Sequence, residues 1–185
     1  MLWRPQKLRT AQRALVEEAL EYALSHGTGL PPGLFPKLRA LLDSGAIKTG
    51  RMRHRARYLS LPLLGSWIEL QPEALGLSAL YDWRAALAAC SGCEEECASR
   101  QALVYAKAEQ SRLFVAAALV HEGTHALLGL TLNRKQDERA AYLAESRFLT
   151  NVLATQPHKL VRNAAEGLLS DVRRDAKQFE GLDFG

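Results

Sequence analysis

Apolar positions along the chain first fall into helical spacing. Leu8, Ala11, Leu15, Ala19, Tyr22 and Ala23 recur mostly at three- and four-residue intervals, which predicts a helix over 8–25, ended by "HGTG" from His26. "PPGLFPKLRALLDSG" predicts a second helix over 33–43, opened by its prolines and closed near Gly45. The character then changes. "RMRHRARYLSLPLLGSWIELQP" alternates, is rich in β-formers and is punctuated by Pro62 and Gly65; it predicts strands over 51–60 and 65–70. Arg51, Arg53, Arg55 and Arg57 occupy every second position of the first, so a strand would place all four on one face.

Helical spacing returns further on. Residues 73–90 predict helix broken near Gly76, and "SGCEEECASRQ" reads as a polar loop or helix edge. A long helix is expected over 101–129, with a turn near Gln110 as its one candidate break. Its second half is apolar on nearly every side, the mark of a helix at the centre of a protein. "LGLTLNRKQ" is a loop. Asp137 then caps a helix over 137–156, or sits in its first turn, and Pro157 ends it. A last helix over 158–179 and a loose tail complete the chain. The pattern predicts one α+β domain spanning 1–185, mostly helical. Helices fill 1–50, a small, mainly antiparallel sheet fills 51–75, the central and returning helices occupy 101–156, and a closing helix runs over 158–180.

Composition narrows the class without naming a function. The 185 residues are 48% hydrophobic and 24% charged, enough apolar material for a real core. A formal charge of +4 permits an acidic partner but does not demand one. The start "MLWRPQKLRT" has no continuous apolar signal region, and no apolar run reaches the roughly 18–20 residues of a membrane span. A cytoplasmic location with no membrane partner is therefore the expectation.

The chemistry concentrates in "LVHEGTHALLG", residues 119–129. Two histidines and a glutamate inside a greasy helix cost stability unless something satisfies them. His121 and His125 are one turn apart and about 40° apart around the axis, so both rings can converge on one point. Neutral imidazoles are good zinc ligands, and a catalytic zinc takes three protein ligands and keeps a place for water. Glu122 lies too far round to join the same set, but it can reach a water held there as general base. The third ligand must come from elsewhere. The chain can reverse at Gly129, and an antiparallel helix would bring Glu138 level with His125. Glu145, seven residues on and on the same face, comes nearer His121. We take Glu138 as third ligand and Glu145 as hydrogen-bond partner of a ligand histidine; on sequence alone the two roles can be exchanged. Tyr142, four residues after Glu138, faces the same way and could offer its hydroxyl to a ligand histidine or to substrate.

"HEGTH" followed by "ERAAYLAESRFL" resembles the small zincin metallopeptidases, more narrowly the glutamate-zincin (gluzincin) branch that contains thermolysin, in minimal form. The resemblance implies a zincin-like fold, Zn2+ held by His121, His125 and a downstream glutamate, and Glu122 as base. It also implies a sheet whose edge strand lies above the metal and aligns an extended peptide or protein substrate, for which "GSWIELQP" is the candidate. The chain departs from the thermolysin pattern in carrying Tyr142 where that pattern has an aspartate, and in its short spacing from His125 to Glu138. No third histidine of the metzincin kind occurs near "HALLGLTLNR". The expected activity is that of a zinc-dependent endopeptidase, with Tyr142 or His158 as candidate oxyanion donors.

Other readings stand beside this one. The protein could keep the metal as a regulatory or binding module with little general proteolysis. The arginines at 51, 53, 55 and 57 could contact the phosphates of a nucleic acid, or could simply form a solvated strand face. Cys90, Cys93 and Cys97, an odd number in a chain without an export signal, read as reduced thiols or a facultative disulfide. A structural zinc there would need a remote fourth ligand such as His54 or His26, which otherwise read as surface histidines.

Overall fold

A computed structural model describes residues 5–76, 94–129, 133–156 and 158–179, with 94–105 described by backbone alone. The chain forms β1 (Gln6–Lys7), α1 (Thr10–Ser25), α2 (Leu34–Asp43), β2 (Ile47–Thr49), β3 (Ala56–Leu61), β4 (Gly65–Leu70), α3 (Glu94–Leu128), α4 (Arg134–Thr155) and α5 (Lys159–Ala176). This is a mostly helical α+β architecture. The helices α1, α2, α4 and α5 and the strands β3 and β4 all pack on α3.

The apolar run within α3 explains that arrangement. Leu113, Val115, Ala116, Ala117, Leu119 and Val120 are all fully buried, so no side of this stretch faces water and each must be covered by a neighbour. The helix continues through Gln110 without the break the sequence allowed, and ends where Gly129 takes a left-handed φ of +71°. The next described helix, α4, begins three residues earlier than Asp137. Asn133 caps it by accepting the backbone N–H of Gln136, and Asp137 lies buried in the first turn. It runs antiparallel to α3, since Glu138 meets His125 while the later Glu145 meets the earlier His121.

The sheet has the order β1-β2-β4-β3. β1 with β2 and β3 with β4 are antiparallel, and β2 with β4 is parallel. Two short strands, β1 and β2, were not expected from the sequence. Their presence corrects the expected position of "GSWIELQP": β4 is an interior strand between β2 and β3, and the free edge on that side belongs to β3. β3 also starts at Ala56 rather than at residue 51, because β4 ends at Leu70, directly opposite Ala56. Just beyond that point the backbone N–H of Gln71 donates to the carbonyl of Arg55.

The expected strand face of four arginines is therefore not formed. Arg57 pairs through Nε and Nη2 with the buried carboxylate of Glu69, and Arg55 turns to Glu145. A basic stripe offered to phosphates loses its geometric basis with it. No helix among the described residues is long and apolar enough to cross a membrane. The expected broken helix of 73–90 falls largely outside the described residues, as do the side chains of Cys90, Cys93 and Cys97.

Candidate metal centre

The helical spacing of "HEGTH" acts as the sequence suggests. His121 and His125 project from one face of α3, their ring centroids 5.1 Å apart. Gly123 between them faces the other way, where a Cβ would lie 2.7 Å from Cδ2 of Leu38 and 2.9 Å from Cδ1 of Leu34. Glycine at this position lets α2 approach closely, which offsets its poor helix propensity.

Glu138 of α4 completes a cluster. Its Oε2 lies 3.7 Å from Nε2 of His121 and 3.6 Å from Nε2 of His125. One ligand atom from each of the three residues lies within 4.8 Å of the others. The carboxylate distances are too long for hydrogen bonds. They are close to the edge of a tetrahedron with metal–ligand bonds of about 2.0–2.1 Å, which is about 3.3 Å. Two imidazole nitrogens and one carboxylate oxygen are a donor set that zinc accepts, with a fourth position left for water. The residues fit the group.

Glu145 occupies the place expected of a partner rather than a ligand. It is almost wholly buried, and its Oε2 accepts from Nδ1 of His121 at 2.9 Å. In the neutral imidazole that bond makes Nδ1 the protonated nitrogen and leaves the lone pair on Nε2, the atom facing Glu138. The other oxygen, Oε1, accepts from Nη2 of Arg55 at 3.2 Å.

Glu122 points to the sheet. The backbone N–H of Tyr58, in the edge strand β3, donates to its Oε2 at 2.6 Å. In an antiparallel edge strand, alternate residues turn their backbone groups outward. Since Tyr58 turns outward and the carbonyl of Arg55 turns to Gln71 beyond β4, the outward residues are Ala56, Tyr58 and Ser60.

Burial and charge set the protonation of the group. Burial disfavours the charged form of His121, but Glu138, Glu145 and Glu122 outweigh it and hold its pKa at about 10 in the metal-free protein. Contact with His121 and then His125 holds the Glu138 carboxyl well below the usual range. Burial pushes Glu122 upward against the opposing pull of both histidines and the Tyr58 N–H. A buried carboxylate with a raised pKa is suited to taking and returning a proton near neutrality. Burial, then the charge of Glu138, pushes the Tyr142 phenol up to about 12, so it stays a donor at neutral pH.

Tyr142 meets His121 by its ring, with centroids 4.8 Å apart at 73°. Nδ1 of that histidine is already held by Glu145, so the phenol does not take that role. His158 is exposed at the N-cap of α5, and no contact with the cluster appears among the described residues. His54 is exposed. His26 is half-buried and packs edge-on against Phe148. Sequence reasoning did not find Arg55 or the Tyr58 backbone as parts of the site. The need of a buried Glu145 for a cation was a signal, but nothing local pointed to which cation.

The chain matches no protein-family model, no curated protein and no solved structure.

Proposed function

We propose that the protein is a zinc-dependent hydrolase, most specifically a metallopeptidase acting on peptide bonds of extended substrates. The observation that carries this reading is the convergence of His121, His125 and Glu138 on one point, with the carboxylate of Glu122 next to it on the same helix. Bound zinc would supply Lewis acidity, lowering the pKa of a bound water from about 15.7 towards 7 and polarising a carbonyl oxygen.

The chain's own residues do the rest. Glu122, fixed at Oε2 by the Tyr58 N–H, takes a proton from the attacking water and passes it to the departing amine. Glu145 holds the His121 ring through Nδ1. The outward backbone groups of Ser60 and the carbonyl of Tyr58 form the free edge on which an extended peptide can add as a further strand, level with Glu122. The phenol of Tyr142 is a protonated donor beside the cluster, suited to a developing oxyanion.

The test joins metal content to turnover. Wild type and Glu122→Gln are loaded with zinc, assayed for metal by elemental analysis, and offered a peptide library. The expected result is one zinc per chain in both and cleavage by wild type alone. Equal cleavage by both, or zinc-loaded wild type that cleaves no peptide, contradicts the reading.

A further inference from the structure

Arg55 is used by neither the metal cluster nor the proton transfer described above, yet its placement is costly. It lies in the segment leading into β3, one residue before the strand begins, and reaches across to α4. Its Nη2 donates to Oε1 of Glu145, while its Nη1 is buried with no hydrogen-bond partner. A buried donor without an acceptor costs stability. A guanidinium placed for stability alone would be expected to commit two of its donors to its carboxylate, as Arg57 does with Nε and Nη2, both donating to Oε2 of Glu69. Arg55 gives up that second bond.

What it gains is control of a carboxylate. Both oxygens of Glu145 are held, one by Arg55 and one by the His121 imidazole. The plane of the carboxylate is thus fixed from two sides, and with it the direction of the His121 ring. Three residues further on, the Tyr58 N–H fixes Glu122. The edge strand is therefore tied to the helix pair at two points, one behind a metal-facing histidine and one at the base.

We propose that Arg55 is a positioning residue for the metal centre: through Glu145 it sets the orientation of His121 and holds the peptide-aligning edge of β3 in register with the ligand cluster. This rests on the hydrolase reading for its purpose, but on the geometry of Arg55, Glu145 and His121 for its substance. Removing a residue that orients a ligand typically lowers metal affinity by about 10–100-fold.

The experiment compares wild type, Arg55→Met and Arg55→Lys. Zinc affinity is read by competition with a chromophoric chelator, ligand geometry by the visible absorption of the cobalt-substituted protein, and folding by the thermal midpoint of the metal-free protein. Arg55→Met is expected to lower zinc affinity by about 10–100-fold and to change the cobalt spectrum, while the metal-free protein stays folded, with a lowered thermal midpoint. Arg55→Lys, which keeps one donor to Oε1, is expected to recover a large part of both. Affinity and spectrum unchanged in Arg55→Met, with zinc still bound by wild type, overturn the inference. Weaker zinc binding in Arg55→Met with no recovery in Arg55→Lys overturns it too, as does a fall in affinity matched by a lost metal-free fold in both variants. If Arg55→Met does not fold, the comparison of Arg55→Lys with Arg55→Gln decides: the lysine variant must bind zinc more tightly. Failure of the hydrolase reading is separate, since it shows as wild type that cleaves no peptide whatever the affinities are.

Discussion

The backbone N–H of Tyr58 donates to Oε2 of Glu122 at 2.6 Å, joining the edge of the sheet to the helix that carries both histidines. One oxygen of the carboxylate is thereby anchored, and the other is left to work. In Glu122→Gln the amide can keep an oxygen towards Tyr58 but cannot accept a proton. Hydrolysis is expected to fall by about 10²–10⁴-fold, the range of general-base contributions, with zinc affinity little changed. Single-turnover kinetics beside a zinc titration check both halves.

Glu138→Gln should separate the third ligand from its neighbour. The amide is a poorer ligand than a carboxylate held 3.6 and 3.7 Å from two imidazole nitrogens. Zinc affinity is expected to drop by more than the roughly 10–100-fold assigned to residues that only orient ligands. Glu145→Gln is expected to lose less, because Glu145 touches Nδ1 of His121 and not Nε2, the nitrogen that faces Glu138. A chelator titration of both variants in which Glu145→Gln loses more would reverse the two roles.

The metal-free protein should carry a stability profile set by the same residues. His121 has its pKa raised from 6.5 to about 10 on folding, so its contribution is complete below about pH 6.5 and is lost as pH rises through about 10. Glu138 is lowered on folding, so its contribution is present above its ordinary value near 4.5 and is lost as pH falls towards its depressed folded value. Thermal midpoints in chelator should therefore decline on the alkaline side, and His121→Gln should flatten that decline. Zinc needs the imidazole unprotonated, so binding at pH 7 should release a proton. Calorimetry in buffers of different ionisation enthalpy reads that proton directly.

Gly123 has a packing role that the metal motif does not require. Alanine there would improve helix propensity by about 1 kcal/mol. It would also press against Leu34 and Leu38, both fully buried, at 2.9 and 2.7 Å, and overpacking costs about 1–3 kcal/mol. Gly123→Ala is expected to be destabilised by about 0–2 kcal/mol net, measured by denaturant unfolding of the metal-free protein.

Local patterns were legible and tertiary ones were not. The convergence of His121 and His125 follows from helical geometry within five residues, and a short return between two helices brings Glu138 and Glu145 towards them, but which of the two faces both Nε2 atoms was not legible. The identity of the edge strand is different. It depends on Ile47–Thr49 pairing in parallel with Ile68–Leu70, a three-residue strand with no alternation to announce it, and that pairing buries β4 and exposes β3. The Arg51–Arg57 run misled for a related reason. Alternation implies a common face only where a ladder exists, and β4 runs out at Leu70. Arg55 could not be assigned because its partner lies 90 residues away, on α4.

The central claim is that a metal ion sits between two imidazoles of α3 and a carboxylate of α4. Zinc-edge X-ray absorption of the zinc-loaded protein reads that shell directly. The account predicts four nitrogen or oxygen ligands at about 2.0–2.1 Å, two of them imidazoles, and no sulfur. A sulfur ligand at about 2.3 Å, or a spectrum unaltered by His125→Ala, would contradict it.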